Sequence, residues 1–426
     1  MQQNIAVNTQ EKQGNLILSK VKRYVLALQH LVAMFGATVL VPMITGLNPS
    51  VALFTAGIGT LIFHLCTKGK VPAFLGSSFA FIPGILAVKE AYNGDLTYAQ
   101  GGMLIAGLAY VIFSFLIKKI GMERIKNVLP DHVVGPMIIV IGLNLLPTAL
   151  DMASNNFLIA AITLGIALTI TFTAKGFLKQ VAILIAVTIG YIISFNMGLV
   201  DTAVIKEAPL FAIPAFTLPK FDAAAIMIIV PAILAVFMEH IGDITTNGKV
   251  CGQNFVEDPG LNRTLLGDGL ATAVASLIGG PANTTYGENT GVLAITKNYD
   301  PSILRITAIF AIILGFVAKF GGVLRTIPTP VMGGISVMLF SMIALVGART
   351  IKENKVKFNL SNTVIMAAII IVGIGGPYIE KATGLTVGIP ITETVTISGL
   401  SFAAIVGITL NLVISFISKM SKKSSK

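Results

Sequence analysis

The segment with the clearest chemical potential places a carboxylate beside glycines and hydroxyl residues. It reads Asn283-Thr284-Thr285-Tyr286-Gly287-Glu288-Asn289-Thr290-Gly291. Glu288 follows a run without Asp, Glu, Lys or Arg from Gly269 to Gly287, which is nearly long enough to cross a membrane. A carboxylate there is costly unless it is paired, protonated or in contact with a ligand. The flanking Gly and Thr residues therefore predict a membrane helix broken at mid-depth, with freed backbone N–H groups facing a cavity.

A segment in the first half has the same character. Ser77-Ser78-Phe79-Ala80 resembles Thr284-Thr285-Tyr286-Gly287. Both are poor helix formers and favour a short extended strand that leads into a half-helix. Two such segments crossing at mid-depth predict a binding site for a small polar solute. That site would bring together Phe79, Tyr286, Gly287 and Glu288.

Two further carboxylates, Glu239 and Asp243, stand four residues apart. This spacing places them on one helix face. Two carboxylates so close in a low-dielectric site do not both ionise, so one should hold a proton. We therefore expect proton coupling through Glu239 and Asp243, with the adjacent His240 as a third group. Asp268 follows a glycine at a predicted helix entry and is interpreted as a capping or interfacial acid.

Composition indicates a membrane protein. Of 426 residues, 54% are hydrophobic and 12% are charged, about half the charged fraction of a soluble domain. At roughly 30 residues per span and loop, the chain holds about fourteen membrane helices. We predict an all-α polytopic membrane protein. Charge-free runs occupy residues 24–67, 96–117, 152–174, 180–200, 326–348, 358–379 and 394–418.

The net charge of +11 is explained by membrane topology rather than by nucleic acid. With the N-terminus inside and loops alternating in side, most basic residues lie in the cytosol, as the positive-inside rule requires. Both termini are then cytosolic, and no secretory signal precedes the first span. Cys66 and Cys251 fit neither a disulfide framework nor a metal site. The basic residues placed outside are Lys89, Lys206, Lys220, Lys319, Arg325 and Lys381.

An internal repeat organises the chain. Gln29-His30-Leu31-Val32-Ala33 resembles Glu239-His240-Ile241-Gly242-Asp243, and the segments from 129 and from 327 also match. If each half holds an odd number of spans, about seven, the second half is inverted relative to the first. The predicted division is a cytoplasmic tail at 1–23, a first repeat at 24–200, an external loop at 201–222, a second repeat at 223–418 and a cytoplasmic tail at 419–426.

These motifs resemble the nucleobase–ascorbate transporter family, also called nucleobase–cation symporter 2, and within it the bacterial uracil permeases. The Gln-His motif of the first span is Gln29-His30, and a Gly-Ser-Ser-Phe-Ala-Phe string stands at 76–81. The resemblance covers nearly the whole chain. The family signature matches at Glu288, Asn289, Gly291, Thr296 and Lys297.

The resemblance implies two inverted repeats of about seven spans, divided between a core domain and a gate domain, with short strands in spans three and ten. Family members are often dimers, so a homodimer is an expectation. Glu at the first signature position is typical of uracil carriers. Some uracil permeases have His where this chain has Asp243, which leaves the coupling residue open. The substrate-contacting positions carried over are Ala37, Phe79, Glu239, Gly287 and Glu288.

The expected function is proton-coupled import of uracil across the cytoplasmic membrane by alternating access. Uracil offers two N–H donors, two carbonyl acceptors and a flat ring. Glu239 and Glu288 can accept, the backbone N–H groups of Phe79 and Gly287 can donate, and Phe79 or Tyr286 can stack. A xanthine or purine permease is the alternative, and a channel or anion exchanger on the same scaffold comes after it. Neither enzymatic activity nor a cofactor or metal is expected.

Overall fold

The computed structural model describes residues 2–121, 128–385, 387–390 and 396–424. The helices are α1 Gln2–Thr45, α2 Pro49–Cys66, α3 Ile82–Ala91, α4 Thr97–Ile120, α5 Asp131–Ser154, α6 Phe157–Thr173, α7 Phe177–Gln180, α8 Ala182–Asn196, α9 Ala203–Glu207, α10 Ala223–Ile229, α11 Ile233–Cys251, α12 Leu261–Leu277, α13 Gly287–Thr296, α14 Pro301–Phe316, α15 Ala318–Arg325, α16 Thr329–Glu353, α17 Leu360–Ile370, α18 Gly376–Thr383 and α19 Gly399–Ser424. The strands are β1 Leu75–Ser77, β2 Asn283–Thr285, β3 Gly388–Pro390 and β4 Thr396–Ser398.

Local sequence signals explain where many of these helices begin. The side chain of Asn48 accepts hydrogen bonds from the N–H groups of Ser50 and Val51, and Pro49 occupies the first position of α2. Asn at the cap and Pro at the first turn are both favoured at a helix start. The charge-free run 24–67 therefore folds as two helices joined by a short turn, as its length predicts.

Membrane-spanning helices dominate the chain. Within the described residues, seven helices are long and apolar enough to cross a membrane, or eight if the pair Pro301–Phe316 and Ala318–Arg325, bent by 78°, counts as one span. Shorter apolar helices lie at Phe157–Thr173, Ala182–Asn196 and Leu360–Gly375. The predicted all-α polytopic class is confirmed, whereas the number fourteen stays a prediction. The segment predicted as an N-terminal tail continues α1 as helix from Gln2.

The two interrupted segments meet in a small antiparallel sheet. β1 and β2 pair through Leu75 with Thr285, Gly76 with Thr284 and Ser77 with Asn283. Hydrogen bonds from Ser78 N to Ala282 O at 2.8 Å and from Tyr286 N to Phe74 O at 3.0 Å extend the pairing. The predicted interruptions are therefore present, but the strands begin before the predicted extended segments, and Phe79 and Gly287 already start helical turns.

The same device fixes each strand to the helix before it in the chain. The hydroxyl of Thr60 on α2 accepts the Leu75 N–H at 2.9 Å. The hydroxyl of Thr272 on α12 accepts the Asn283 N–H at 3.1 Å. In both β1 and β2 the N–H of the first strand residue donates to a threonine hydroxyl of the preceding helix. The two halves of the chain therefore position their strands in equivalent ways.

Helix packing divides the structure into two bundles. The first bundle contains α1, α2, α4, α12, α13 and α14 together with the β1–β2 sheet, and the second contains α5, α6, α7, α8, α16, α17 and α19. In the first, α2 packs on α14 while α4 packs on α12; in the second, α6 packs on α16 while α17 packs on α5. Each pair has a counterpart from the opposite half of the chain, as the predicted repeat requires. The repeat and domain boundaries themselves stay predictions.

The segment 201–222 lies on the first bundle. Its Lys220 N donates to Thr97 O at 3.0 Å, and the Lys220 ammonium pairs with Asp95 at 2.8 Å. That hydrogen bond lowers the pKa of Asp95 to about 2. A hydrogen bond from the Tyr92 hydroxyl likewise lowers the pKa of Asp222. These contacts hold the segment across the turn between α3 and α4.

Candidate functional site

Two helical segments begin where the paired strands end. A 3-10 turn at Phe79–Phe81 follows β1 and continues as α3, and α13 follows β2 at Gly287. Ser78 and Tyr286 precede these helices, and neither makes a side-chain capping hydrogen bond. The first N–H groups of a helix lack partners within it and carry partial positive charge. The crossing of the strands therefore offers hydrogen-bond donors from both halves of the chain.

Three carboxylates interact near the start of α13, where Glu288 lies in the first turn. Glu239 is exposed, and Asp243 and Glu288 are half-buried. Their charges interact electrostatically with one another. Gly287 is exposed, and a Cβ built on Gly287 or Gly242 would meet no atom within 4 Å. Open space therefore adjoins the three carboxylates.

The open space continues along one face of α11. Glu239, Gly242, Thr246 and Lys249 are all exposed and lie within a narrow sector of the helix, at spacings of three and four. A stripe of this polarity in contact with hydrocarbon would be very costly, so we infer that it faces a water-filled vestibule. A cavity of about 450 Å³ adjoins its far end, where Thr245, Gly248 and Lys249 line it with neighbouring residues.

The aromatic candidates take different positions. Phe79 is half-buried at the start of the 3-10 turn. Tyr286 is 5% exposed, and its hydroxyl donates to Ser77 O at 2.9 Å. A Cβ at Gly76 would lie 2.4 Å from the Tyr286 ring, so the ring packs against the backbone of β1. The Tyr286 ring therefore supports the sheet. Phe79 is then the candidate aromatic ring that can face the site. Ala37, 1% exposed, is packed within α1.

Asp243 is oriented by the sheet. The hydroxyl of Thr285, the last residue of β2, donates to Asp243 Oδ2 at 3.1 Å. Asp243 thereby joins α11 to the strand that precedes Glu288. The predicted pair Glu239 and Asp243 consequently differs in surroundings, since one carboxylate is exposed to the vestibule and the other is held by a hydroxyl.

His240 faces away from the vestibule. It is fully buried, with Nδ1 at 2.8 Å from Asp268 Oδ2 and Nε2 at 2.9 Å from Thr264 Oγ1. The interpretation of Asp268 as a capping or interfacial acid is wrong, because it lies inside α12, 1% exposed, and pairs with His240. Only the packing of α12 on α11 brings the two together. A buried acid at this depth needs such a partner.

The signature residues tie α13 to its neighbours. The Asn289 amide lies 3.1 Å from both His30 Nδ1 and His30 O, so the signature meets the Gln-His motif of α1. A Cβ at Gly291 would lie 2.5 Å from Gln180 Oε1 on α7. Thr296 is the last residue of α13, and Lys297 follows with a left-handed backbone, φ 51°. The end of the signature therefore terminates the half-helix.

Several residues that hold the site were not among the candidates. Asn247 donates to Pro72 O at 2.9 Å and to Thr290 Oγ1 at 3.4 Å, which joins α11 to the approach to β1 and to α13. Asn283 donates to Thr55 O at 3.1 Å. For Asn283 the available signal was an amide within the charge-free run 269–287, because a buried amide requires hydrogen-bond partners.

The assembled site suits a small, flat, neutral molecule. It combines carboxylate acceptors, backbone N–H donors at two helix starts and one aromatic face. Charge-assisted hydrogen bonds of this kind are about twice as strong as neutral ones. Within the described part of the chain, no cluster of three or more His, Cys, Asp or Glu residues could hold a metal ion.

Interrupted spans that meet at a solvated site define the chain as a membrane transporter of the repeat-built kind. The sequence pattern of the Permease family (Xan_ur_permease) matches residues 21–382. The uracil permease of Bacillus caldolyticus is 42% identical over 405 residues, covering 91% of this chain and 91% of that protein. The uracil permease of Bacillus subtilis strain 168 is 41% identical over 410 residues, again covering 91% of each chain. This chain belongs to the Permease family and is a multi-pass membrane protein.

A solved structure shares the fold. The transmembrane domain of a cyanobacterium bicarbonate transporter, BicA, superimposes with a TM-score of 0.63 at 18% sequence identity, covering 92% of this chain and 96% of that one. At this identity the likeness concerns architecture alone. It supports the helical arrangement around the β1–β2 sheet.

Proposed function

We propose that the chain is a uracil symporter of the cytoplasmic membrane, driven by protons and working by alternating access. The observation that carries the proposal is the interaction of Glu239 with Glu288 at the start of α13, beside the paired strands that lead into the uncapped helix starts at Phe79 and Gly287. This donor and acceptor pattern complements the edge of a uracil ring. Relatives that bear the name uracil permease over nearly the whole chain support the same substrate.

In the proposed complex, the two carboxylates accept the ring N–H groups and the backbone N–H groups donate to the ring carbonyls. The Phe79 ring supplies the stacking face, since Tyr286 is occupied by Ser77 and Gly76. Gly287 matters because its missing side chain keeps the approach to its own N–H open. Ala37 and Tyr286, which are both buried, contribute to substrate binding by packing behind the residues that contact the ring.

Proton coupling is assigned to Glu239 and Asp243. A neutral substrate gains nothing from the membrane potential, so accumulation requires a co-transported cation. We propose Glu239 as the group shared by substrate and proton, because it faces the vestibule, with Asp243 acting on it by like-charge repulsion. Protonation of either acid reduces the buried charge of the loaded carrier.

We propose a structural role for His240 beside the coupling carboxylates. Its Nε2 lies 2.9 Å from Thr264 Oγ1 and its Nδ1 lies 2.8 Å from Asp268 Oδ2. Both ring nitrogens are therefore occupied by residues of α12. We propose that His240 holds α11 in register with α12 and supports the coupling carboxylates from behind.

Two alternatives remain to be separated. A purine such as xanthine has the same imide edge, so it could use the same carboxylates in a larger pocket. An anion exchanger is favoured by the fold shared with a bicarbonate transporter, but the three carboxylates repel an anion. Uracil transport is therefore the stronger proposal.

Uptake into proteoliposomes tests the proposal. Labelled uracil should accumulate when the outside is acidic, stop accumulating when a protonophore is added, and be displaced by unlabelled uracil better than by xanthine or thymine. Stronger competition by xanthine would reassign the substrate. Uptake that follows a sodium gradient and ignores pH would reject proton coupling, and bicarbonate exchange without uracil uptake would reject the nucleobase altogether.

The proposed orientation places both termini in the cytosol, and a homodimer remains an expectation. Impermeant thiol reagents applied to intact cells decide the orientation when cysteines are introduced on a background lacking Cys66 and Cys251. A cysteine at Asp201 should react and one at Asn354 should not, because 201–222 is assigned outside and the end of α16 inside. The reverse labelling pattern would invert the topology.

A further inference from the structure

One contact between the two bundles lies directly beside the candidate site. It is made by Gln180–Leu184, at the end of α7 and the start of α8, which we name the docking segment. A Cβ at Gly291 would lie 2.5 Å from Oε1 and 2.6 Å from Nε2 of Gln180. A Cβ at Gly36 would lie 2.8 Å from Cγ2 of Ile183. Two glycines of the first bundle thus make room for two side chains of one short segment.

Both glycines are on helices that carry the site. Gly291 is four residues after Gly287 and therefore on the same face of α13, one turn along. On that face, Gly287 is open and Gly291 is covered by the Gln180 carboxamide. Gly36 immediately precedes Ala37 on α1. Any movement of the docking segment therefore changes contacts within one helical turn of Gly287 and Ala37, two of the proposed substrate-binding positions.

The contact is incompletely packed. An apolar cavity of about 20 Å³ lies beside it, with Phe35, Gly36, Ile183 and Leu184 among its lining residues. Atoms that line a void lose part of their dispersion attraction. Separation of the two surfaces is accordingly less costly there than within a filled core.

We propose that Gln180 is a positioning residue for transport. Its carboxamide on Gly291 and the Ile183 side chain on Gly36 hold the second bundle against the two site-bearing helices in the state with the vestibule open. The proposal rests on the proposed uracil transport for its functional readout. It assigns the two glycines a steric role, namely to leave the volume that the docking segment fills.

The first test compares Gln180→Ala, Gly291→Ala and the double variant. The carboxamide ends a flexible side chain, so the new Cβ displaces it without moving the backbone, and Gly291→Ala should fold. Gly165→Ala is the matched control, because a Cβ at this helical glycine would meet no atom within 4 Å. Each single variant should slow uracil exchange in proteoliposomes about fivefold, equivalent to ~1 kcal/mol, with the uracil Kd changed less than about twofold.

Non-additivity is the distinguishing result. Since both substitutions remove one contact, the double variant should exchange no more slowly than the slower single variant. Losses that multiply, or single variants that match the control, would overturn the assignment of Gln180. Independently, Gly36→Ala should slow exchange, and adding Ile183→Ala should slow it no further, because both substitutions remove the same contact. Losses that multiply would reject the docking segment as the cause.

A readout without uracil separates this inference from the proposed function. Thr246→Cys, in a protein lacking Cys66 and Cys251, reports whether the vestibule is open. Gln180→Ala should lower its reaction rate with a soluble thiol reagent, because the open state loses a stabilising contact. An unchanged rate would refute the docking role even if uracil transport is confirmed. A lowered rate in a protein that does not bind uracil would retain the docking role and reject the substrate.

Discussion

Replacing Glu288 by Gln tests the centre of the proposed site. Glu288 is the second residue of α13, half-buried beside the open space at Gly287. The change keeps the shape and removes the negative charge that accepts a ring N–H. A hydrogen bond to a charged group contributes ~1.5–3 kcal/mol, and contact with vestibule water favours the lower end of that range. At 1.4 kcal/mol per factor of ten, the uracil Kd should rise about ten- to thirtyfold.

Calorimetry on purified protein measures this change directly. Glu207→Gln is the matched control, because Glu207 is exposed at the end of α9, far along the chain from the site, and the same chemical change there should leave the Kd unaltered. Thermal unfolding of both variants establishes that they are folded. An unchanged Kd in folded Glu288→Gln would remove Glu288 from substrate binding and require another acceptor for the ring.

Three further predictions follow from particular contacts. The pKa of Asp95 is lowered from 3.8 to about 2. Its ion pair with Lys220 therefore stabilises the fold above pH 3.8 and loses that effect as the pH falls through about 2. The thermal unfolding midpoints of wild type and Asp95→Asn should accordingly differ at pH 6 and converge near pH 2. Gly76→Ala should lower stability by ~1–3 kcal/mol through collision with the Tyr286 ring, whereas Gly165→Ala should leave the unfolding midpoint unchanged or slightly raised. Asp243→Asn should impair pH-driven uracil accumulation while exchange of labelled for unlabelled uracil survives, and normal accumulation would exclude Asp243 from coupling.

The interrupted spans were predictable from sequence because their cause is local. Gly, Ser and Thr are poor helix formers, so extended segments at 77–80 and 284–287 could be predicted without knowledge of packing. The strands themselves lie slightly earlier, at 75–77 and 283–285. The position of Glu288 just after β2 follows from the same reasoning. Polar residues within apolar runs therefore predicted where the spans are interrupted, whereas the chemistry of the site stays a proposal.

Residue partnerships depended instead on tertiary packing. Asp268 and His240 are separated along the chain and meet only because α12 packs on α11, so a local interpretation of Asp268 failed. Tyr286 appeared equivalent to Phe79, yet the missing side chain of Gly76 draws its ring under β1. The contact of Gln180 with Gly291 likewise depends on how two bundles meet, which no local pattern encodes.

The proposed site resolves an electrostatic difficulty posed by the proposed substrate, uracil. A neutral ring brings no countercharge to Glu239, Asp243 and Glu288, whose charges repel one another. The helix starts at Phe79 and Gly287 offset part of that charge, and Asp268 is paired with His240 rather than with the site carboxylates. The remaining negative charge of the three carboxylates is reduced when a proton binds to one of them. In the proposed mechanism, proton and ring therefore lower the cost of the same carboxylate charge together. Under that proposal an empty, deprotonated carrier keeps that cost, so the loaded form moves more readily.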